Sequence, residues 1–431
     1  MTVTAFINAR LIDPATGLDE IGRLITEGGR IAAVEPGAGA DGIGEHAQVI
    51  DCSGHVLSPG LIDMRVFTGE PGAEHKETLG SASDAAAAGG VTTIVMMPNT
   101  NPVIDDVALV DFLNRRARDT AQVHIRPMAA ITKGFDGKHM TEIGLLSEAG
   151  AVAFTDGDRP VSDSLVMRRV LGYAKNFDAL IVQHAEDRAL TGSGVMNEGE
   201  YALRLGLQGV PEEAESIMVE RDLQLVALTG GRYHLAQVSA KKSLEALHRA
   251  KAAGLKVTCA ASVHHLVLNE MDVADYRTFA RLNPPLRNEE TRLALIEAVA
   301  SGLIDVIVSS HRPEAPEDKR LPFAEAKEGS VGLETLLPAA LQLVHEDQVP
   351  LHKVLATMTS NPAQILGFDS GRLQVGAPAD LALIDLGFPF KVDPATLRSR
   401  SRNTVFEGRT LQGRVLRTMV AGHMVFEAED V

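Results

Sequence analysis

Short apolar runs broken by turn residues dominate the first part of the chain. They fall at 4–7, 22–26, 30–34 and 49–52, with Asp13-Pro14 and Glu27-Gly28-Gly29 between them. That spacing predicts a small β-sheet built from hairpins. From Val56 the rhythm changes to a strand followed by a helix, repeated. Strands are predicted at 56–66, 92–97, 123–129, 151–155, 180–184, 233–238, 256–260 and 305–309, and helices at 78–88, 107–118, 165–173, 219–229, 240–253 and 289–301. Eight strands alternating with helices is the number that closes a (β/α)8 barrel. A helix-rich passage at 333–366 precedes a return to β pattern at 371–375, 379–385, 410–413 and 417–426. The expected fold class is therefore α/β: a barrel over 56–370 and a small β-sandwich assembled from both chain ends, 1–55 and 371–431.

Composition narrows the partners. The net charge is −16, from 41 basic and 57 acidic residues, which argues against nucleic acid or an anionic membrane surface. No apolar run is long enough to span a bilayer, and the first residues lack a basic segment followed by an apolar core, so a cytoplasmic protein is expected. The two cysteines, Cys52 and Cys259, each lie in a β-like run far from the other. They are expected to be reduced, partly buried thiols.

In a (β/α)8 barrel the chemistry sits at the C-terminal ends of the strands. Here those ends hold Pro59-Gly60-Leu61-Ile62-Asp63 leading into Arg65, Phe67 and Gly69; Met97-Pro98-Asn99-Thr100-Asn101-Pro102; Ala153-Phe154-Thr155-Asp156; His184-Ala185-Glu186-Asp187; His234 with Gln237; and Ser310-His311-Arg312-Pro313-Glu314. Further along come Asn283-Pro284-Pro285-Leu286-Arg287, a Gly-Leu-Glu-Thr-Leu-Leu run from Gly332, and Gly376-Ala377-Pro378-Ala379-Asp380-Leu381. Taken in order, these motifs resemble the dihydroorotase family over nearly the whole chain, in its class with an aspartate bridging two metals. Hydantoinases and allantoinases share the first motif but carry a carboxylated lysine after the fourth strand, where this chain has Asp156.

The resemblance implies where an active member would hold its metals: positions 65, 67, 156, 184, 237 and 310. This chain places Arg65, Phe67, Asp156, His184, Gln237 and Ser310 there. Only Asp156 and His184 remain as ligand types. Gly69 stands at the position of the substrate arginine, and Glu314 at the last histidine of the eighth-strand motif. Metal ions would lower the pKa of a bound water from about 16 to about 7, and a catalytic zinc usually has about three protein ligands and an open position. Arg65 is a permanent cation, Phe67 has no lone pair, and the Ser310 hydroxyl is no base at neutral pH. No cofactor is expected, and Arg65 is expected to pair with Asp156 across the barrel mouth in place of the metals.

Other readings stay open. A one-metal site could use Asp156, His184 and either His234 or His311, although His234 faces away from Gln237 along a strand. His264 and His265, as neighbours on a strand, would point to opposite faces. His184 alone could be a hydrogen-bonded rim residue. Asn99 and Asn283 match substrate-contacting asparagines of the family, or serve backbone groups beside Pro98 and Pro284.

Three functions follow. By resemblance to noncatalytic members of the family, the chain is an inactive homologue that scaffolds or regulates aspartate transcarbamoylase, as a homo- or hetero-oligomer. The alternative is an active dihydroorotase or related cyclic amidase with a minimal zinc site. The third is a sensor that binds the substrates through Asn99 and Asn283.

Overall fold

The computed structural model describes residues 3–44 and 46–429. Strand β1 (Val3–Asp13) forms a hairpin with β2 (Leu18–Glu27), which continues antiparallel to β3 (Arg30–Pro36). On its other edge β1 takes two parallel partners, β4 (Gln48–Asp51) near its start and β5 (Val56–Pro59) near its end. The strand expected at 56–66 is thus two strands, and residues 56–59 belong to the terminal sheet. Gly60 is the break. A Cβ there would lie 2.2 Å from the Thr92 side chain, so only glycine lets the chain turn from one sheet into the next at that depth.

Beyond Gly60 the staves are β6 (Leu61–Val66), β7 (Val91–Met96), β8 (His124–Pro127) and β9 (Leu180–Gln183), followed by the two-residue pair β10 (Met196–Asn197) and β11 (Gly209–Val210), then β12 (Arg232–Leu235), β13 (Val257–Ser262) and β14 (Val306–Val308). Parallel pairing runs β6-β7-β8, and β9-β12-β13-β14. The expected strand at 151–155 is reduced to a single bridging residue. Phe154 bridges Ala129 on one side and Ile181 on the other, which links β8 to β9. Val66 bridges His311, so the pairing circuit returns to β6. Between β14 and β6 the Asp63 carboxylate also accepts the Ser309 N–H at 3.3 Å. Side chains such as Met64, Val95, Val182, Ala260 and Val308 fill the inside of the ring, and a larger apolar shell packs the helices around it.

The chain ends on β15 (Leu381–Lys391), β16 (Thr410–Val420) and β17 (His423–Glu427), antiparallel neighbours that join the terminal sheet through β5. The result is one eight-stranded sheet in the order β17-β16-β15-β5-β1-β2-β3, with β4 on β1, where two facing sheets were expected. The sheet curls because its far edge meets its own middle: Ile31 N–H donates to Ala377 O, and Ala379 N–H to Gly29 O, just before β15 begins. Phe6, Leu11, Leu24, Leu57 and Leu383 fill the curl. The segment 371–375, expected as strand, is irregular. Cys52 and Cys259 are both unpaired and buried. Among the described residues no helix is long and apolar enough to cross a membrane.

Candidate functional site

At the C-terminal ends of the staves the loops converge on one carboxylate, Asp158. Arg65, on β6, reaches it with Nη2 at 2.5 Å. Arg312, from the loop after β14, donates Nη1 at 2.7 Å, and the Asn99 amide donates at 3.2 Å. Burial pushes the Asp158 carboxyl up, but Arg312 and Arg65 outweigh it and hold the pKa at about 2. Burial also pulls the Arg65 guanidinium down from its ordinary value, opposed by Asp158. Arg312 divides its remaining donors between Glu314 at 3.3 Å and Glu328 at 3.4 Å. One anion therefore ties together the ends of β6, β7 and β14 and the segment after Phe154.

The expected Arg65–Asp156 pair is not formed. Asp156 turns the other way, to cap the loop after β8. Its Oδ1 accepts the Ile131 and Thr132 N–H groups at 2.8 and 2.9 Å, and its Oδ2 accepts the Thr132 hydroxyl. Burial raises its pKa to about 6 against the pull of these donors. Two residues further on, Asp158 takes the guanidinium. Its place in the Asp156-Gly157-Asp158 turn was visible in the sequence, but nothing local distinguished the two carboxylates. Gly157 has φ +69, and that turn aims them at different loops.

The side chains at the other family positions lie in packing and hydrogen bonds of their own. Phe67 is half-buried and lines the mouth. The Gln237 amide donates to the Ser310 hydroxyl, while its Oε1 is buried without a partner among the described residues. His184 is 2% exposed and its Nε2 lies 3.3 Å from Glu186, as a hydrogen-bonded rim residue would. Glu314 is buried and bonded to Lys76. At Gly69 a Cβ would lie 2.5 Å from Glu77 O, and φ is +72, so this turn has no room for an arginine side chain.

The histidines offered as substitutes are also engaged. His234 is buried against Thr258, with Nδ1 and Oγ1 2.8 Å apart, and burial drives its pKa down to about 3. His311 Nδ1 accepts the Gly332 N–H at 3.1 Å, which places its proton on Nε2, facing the Glu77 carboxylate at 3.4 Å. His264 and His265 lie on the helix Val263–Val267, not on a strand. His265 Nε2 is within 3.1 Å of the Pro284 carbonyl, and His264 packs on the Phe406 ring. Asn283 shares the wall of the mouth with Asn99.

The donor set does not fit a catalytic metal pair. Among the described residues no group of three or more His, Cys, Asp or Glu side chains could hold a metal ion. Of the six family positions two keep a ligand type, one of these, Asp156, has both carboxylate oxygens hydrogen-bonded, and a guanidinium stands at a third. At its centre the mouth is a cavity of about 40 Å³ lined by Arg65, Phe67, Gln237, Ser310 and their neighbours, room for a few waters.

Comparison with known proteins agrees with the motifs. The family model described as Dihydro-orotase-like matches residues 54–243, and that described as Amidohydrolase family matches residues 339–425. A protein named dihydroorotase from Anaplasma phagocytophilum (strain HZ) is 44% identical over 428 residues, 99% of this chain and 95% of the relative. One of the same name from Syntrophus aciditrophicus (strain SB) is 40% identical over 97% of this chain and 98% of the relative. Among solved structures, the L-hydantoinase (dihydropyrimidinase) of Arthrobacter aurescens superposes with a TM-score of 0.89 at 26% identity, covering 100% of this chain and 97% of its own. A dihydropyrimidinase from Brevibacillus agri NCHU1002 has the same fold, at a TM-score of 0.85 and 20% identity, over 99% of this chain and 95% of its own. Identity above 40% across nearly the full length of both chains means that this chain belongs to the dihydroorotase family.

Proposed function

We propose that this chain is a dihydroorotase-family protein that no longer performs metal-dependent ring chemistry and acts as a structural or regulatory partner of aspartate transcarbamoylase. One observation carries the first half: the Arg65 guanidinium, bonded to Asp158, stands at a ligand position of the site. A fixed cation there opposes a dication directly, by Coulomb repulsion in a setting where water screens little. The losses at Phe67, Gln237 and Ser310 run in the same direction, since none supplies a lone pair of useful strength to zinc. The partner rests on the resemblance to noncatalytic members alone, and co-expression followed by sizing tests it; two separate peaks would count against it.

The second reading is an active dihydroorotase, interconverting carbamoyl aspartate and dihydroorotate. It is favoured by the relatives 40–44% identical that bear that name. On this reading a zinc would have to draw on Asp156 and His184, and Asp156 would first have to release the Thr132 hydroxyl and two backbone N–H groups. One preparation decides between the two: zinc content by elemental analysis, with a dihydroorotase assay on the same sample. Substoichiometric zinc and no turnover support the first reading; about one zinc or more per chain with turnover overturns it.

A further inference from the structure

Residues 312–331, which follow β14, form one wall of the barrel mouth. Arg312, Glu328 and Gly329 line its central cavity, and Ala324 and Glu328 line the cleft above it. Asn403, which arrives from the excursion between β15 and β16, ties the two ends of this segment together. Its Nδ2 donates to the Arg312 and Gly329 carbonyls, each at 3.1 Å, and its Oδ1 accepts the Glu314 N–H at 3.0 Å. The middle of the segment needs a fastening of its own, and Lys319 supplies it.

Lys319 ends the short helix Pro316–Lys319 and is 4% exposed. Its Nζ donates to the Thr278 carbonyl at 3.1 Å and to the Lys327 carbonyl at 2.6 Å, and its own carbonyl accepts the Thr278 hydroxyl at 2.6 Å. Two acceptors match the two N–H bonds of a neutral amine, whereas an ammonium carries three donors. The carboxylates that face it are engaged elsewhere, Glu314 with Lys76 and Arg312, and Glu328 with Arg312. Asp318, beside it in sequence, holds Lys76 at 2.9 Å. A buried charge without a counter-ion is costly, and lysine, unlike arginine, avoids the cost by shedding its proton. Burial pushes its pKa down to about 7; Glu314 and Glu328 oppose the shift, and Arg312 and Arg281 add to it.

We propose that Lys319 is a pH-sensitive fastener, whose amine holds the 312–331 wall of the mouth against the turn at 278–281 more tightly as pH rises through the neutral range. In the closed segment the lysine binds its proton less tightly than when freed to solvent, where its ordinary value is 10.5. Closing therefore carries the full cost of a buried charge below about pH 7, and that cost fades as pH rises from 7 toward 10.5. Lys319 lies outside the six ligand positions, so its role holds whether or not the ring retains metal chemistry.

Amide hydrogen exchange of the full chain, resolved over 316–329 and divided by the intrinsic rate at each pH, tests it at pH 6.5, 7.5 and 8.5. Protection of the segment is expected to rise by about 20-fold across that range, as a closed-state value near 7 against 10.5 requires. The buried strand β7 serves as the reference and should show no such rise. Lys319→Arg keeps a cation at every pH and Lys319→Met carries none, so neither should show the rise, and the arginine variant should stay less protected than the parent at pH 8.5. A variant with parent-like protection of β7 that still shows the parent's rise overturns the proposal, because another group is then the sensor. The parent alone can also refute it, should neither variant fold: a rise of less than about threefold, or a fall, overturns the proposal.

Discussion

Replacing Arg65 by Met tests the central ion network most directly. The Asp158 carboxyl is held at about 2 against an ordinary 3.8, and at roughly 1.4 kcal/mol per pKa unit its surroundings, burial included, favour its charged form by a net of about 2.5 kcal/mol. Arg312, still 2.7 Å away, supplies the larger share. The Asp158 side chain keeps 19% of its surface exposed, so solvent screens part of the remainder. The expected cost of Arg65→Met at pH 7 is therefore about 1–2 kcal/mol, below the roughly 3–5 kcal/mol of breaking an isolated buried pair. Thermal unfolding of Arg65→Met, Asp158→Asn and the double variant gives the coupling energy, expected near 1 kcal/mol. Because the folded pKa lies below the unfolded one, this stability is fully present above about pH 5 and is lost only as pH falls through 4 toward 2. The coupling should accordingly be flat from pH 5.5 to 8. Additivity within about 0.3 kcal/mol, or a coupling that changes between pH 5.5 and 7, would refute the assignment. A parallel cycle with Asp156→Asn should show no coupling to Arg65.

The other predictions probe residues around that network. Asp156, with its pKa raised to about 6, binds its proton more tightly folded than unfolded, so it subtracts stability as pH rises from 4 to 6; the gap in melting temperature between wild type and Asp156→Asn should shift against the wild type over that window. Gly69→Arg should lower soluble yield and melting temperature without creating a substrate arginine, because its Cβ meets Glu77 O at 2.5 Å in a backbone of φ +72; a variant as stable as wild type would contradict this. His311→Phe should destabilise by about 1–3 kcal/mol by leaving the buried Gly332 N–H without its acceptor, and leave the zinc content unchanged, since His311 is not placed as a ligand.

The alternation of strand and helix from Val56 was legible because it depends on residue type at counted positions, and so was the identity of the residues at 65, 67, 237 and 310. What depended on direction was not. The break at Gly60 is set by a contact with Thr92 from a different strand, so 56–66 read as one element. Apolar alternation marks which residues face a core but not how many sheets enclose it, so a single curled sheet read as two. His264 and His265 read as strand because β13 runs up to Ser262, whose hydroxyl then accepts the His264 N–H and starts a helix; a lone serine before Val263 is a weak signal for that switch.

The instructive error is Asp156. A carboxylate and an arginine at two metal-ligand positions of the family invite the simplest electrostatic pairing, and the structure instead uses the next acidic residue. Asp156 is surrounded by donors from 131–132 that suit a carboxylate with or without a metal, so its charge needs no guanidinium. The charge of Arg65 did need a partner, because burial disfavours it, and Asp158 supplies one while also drawing in Arg312 and Asn99. A buried cation recruits an anion that no other group already satisfies, whichever residue the family used before.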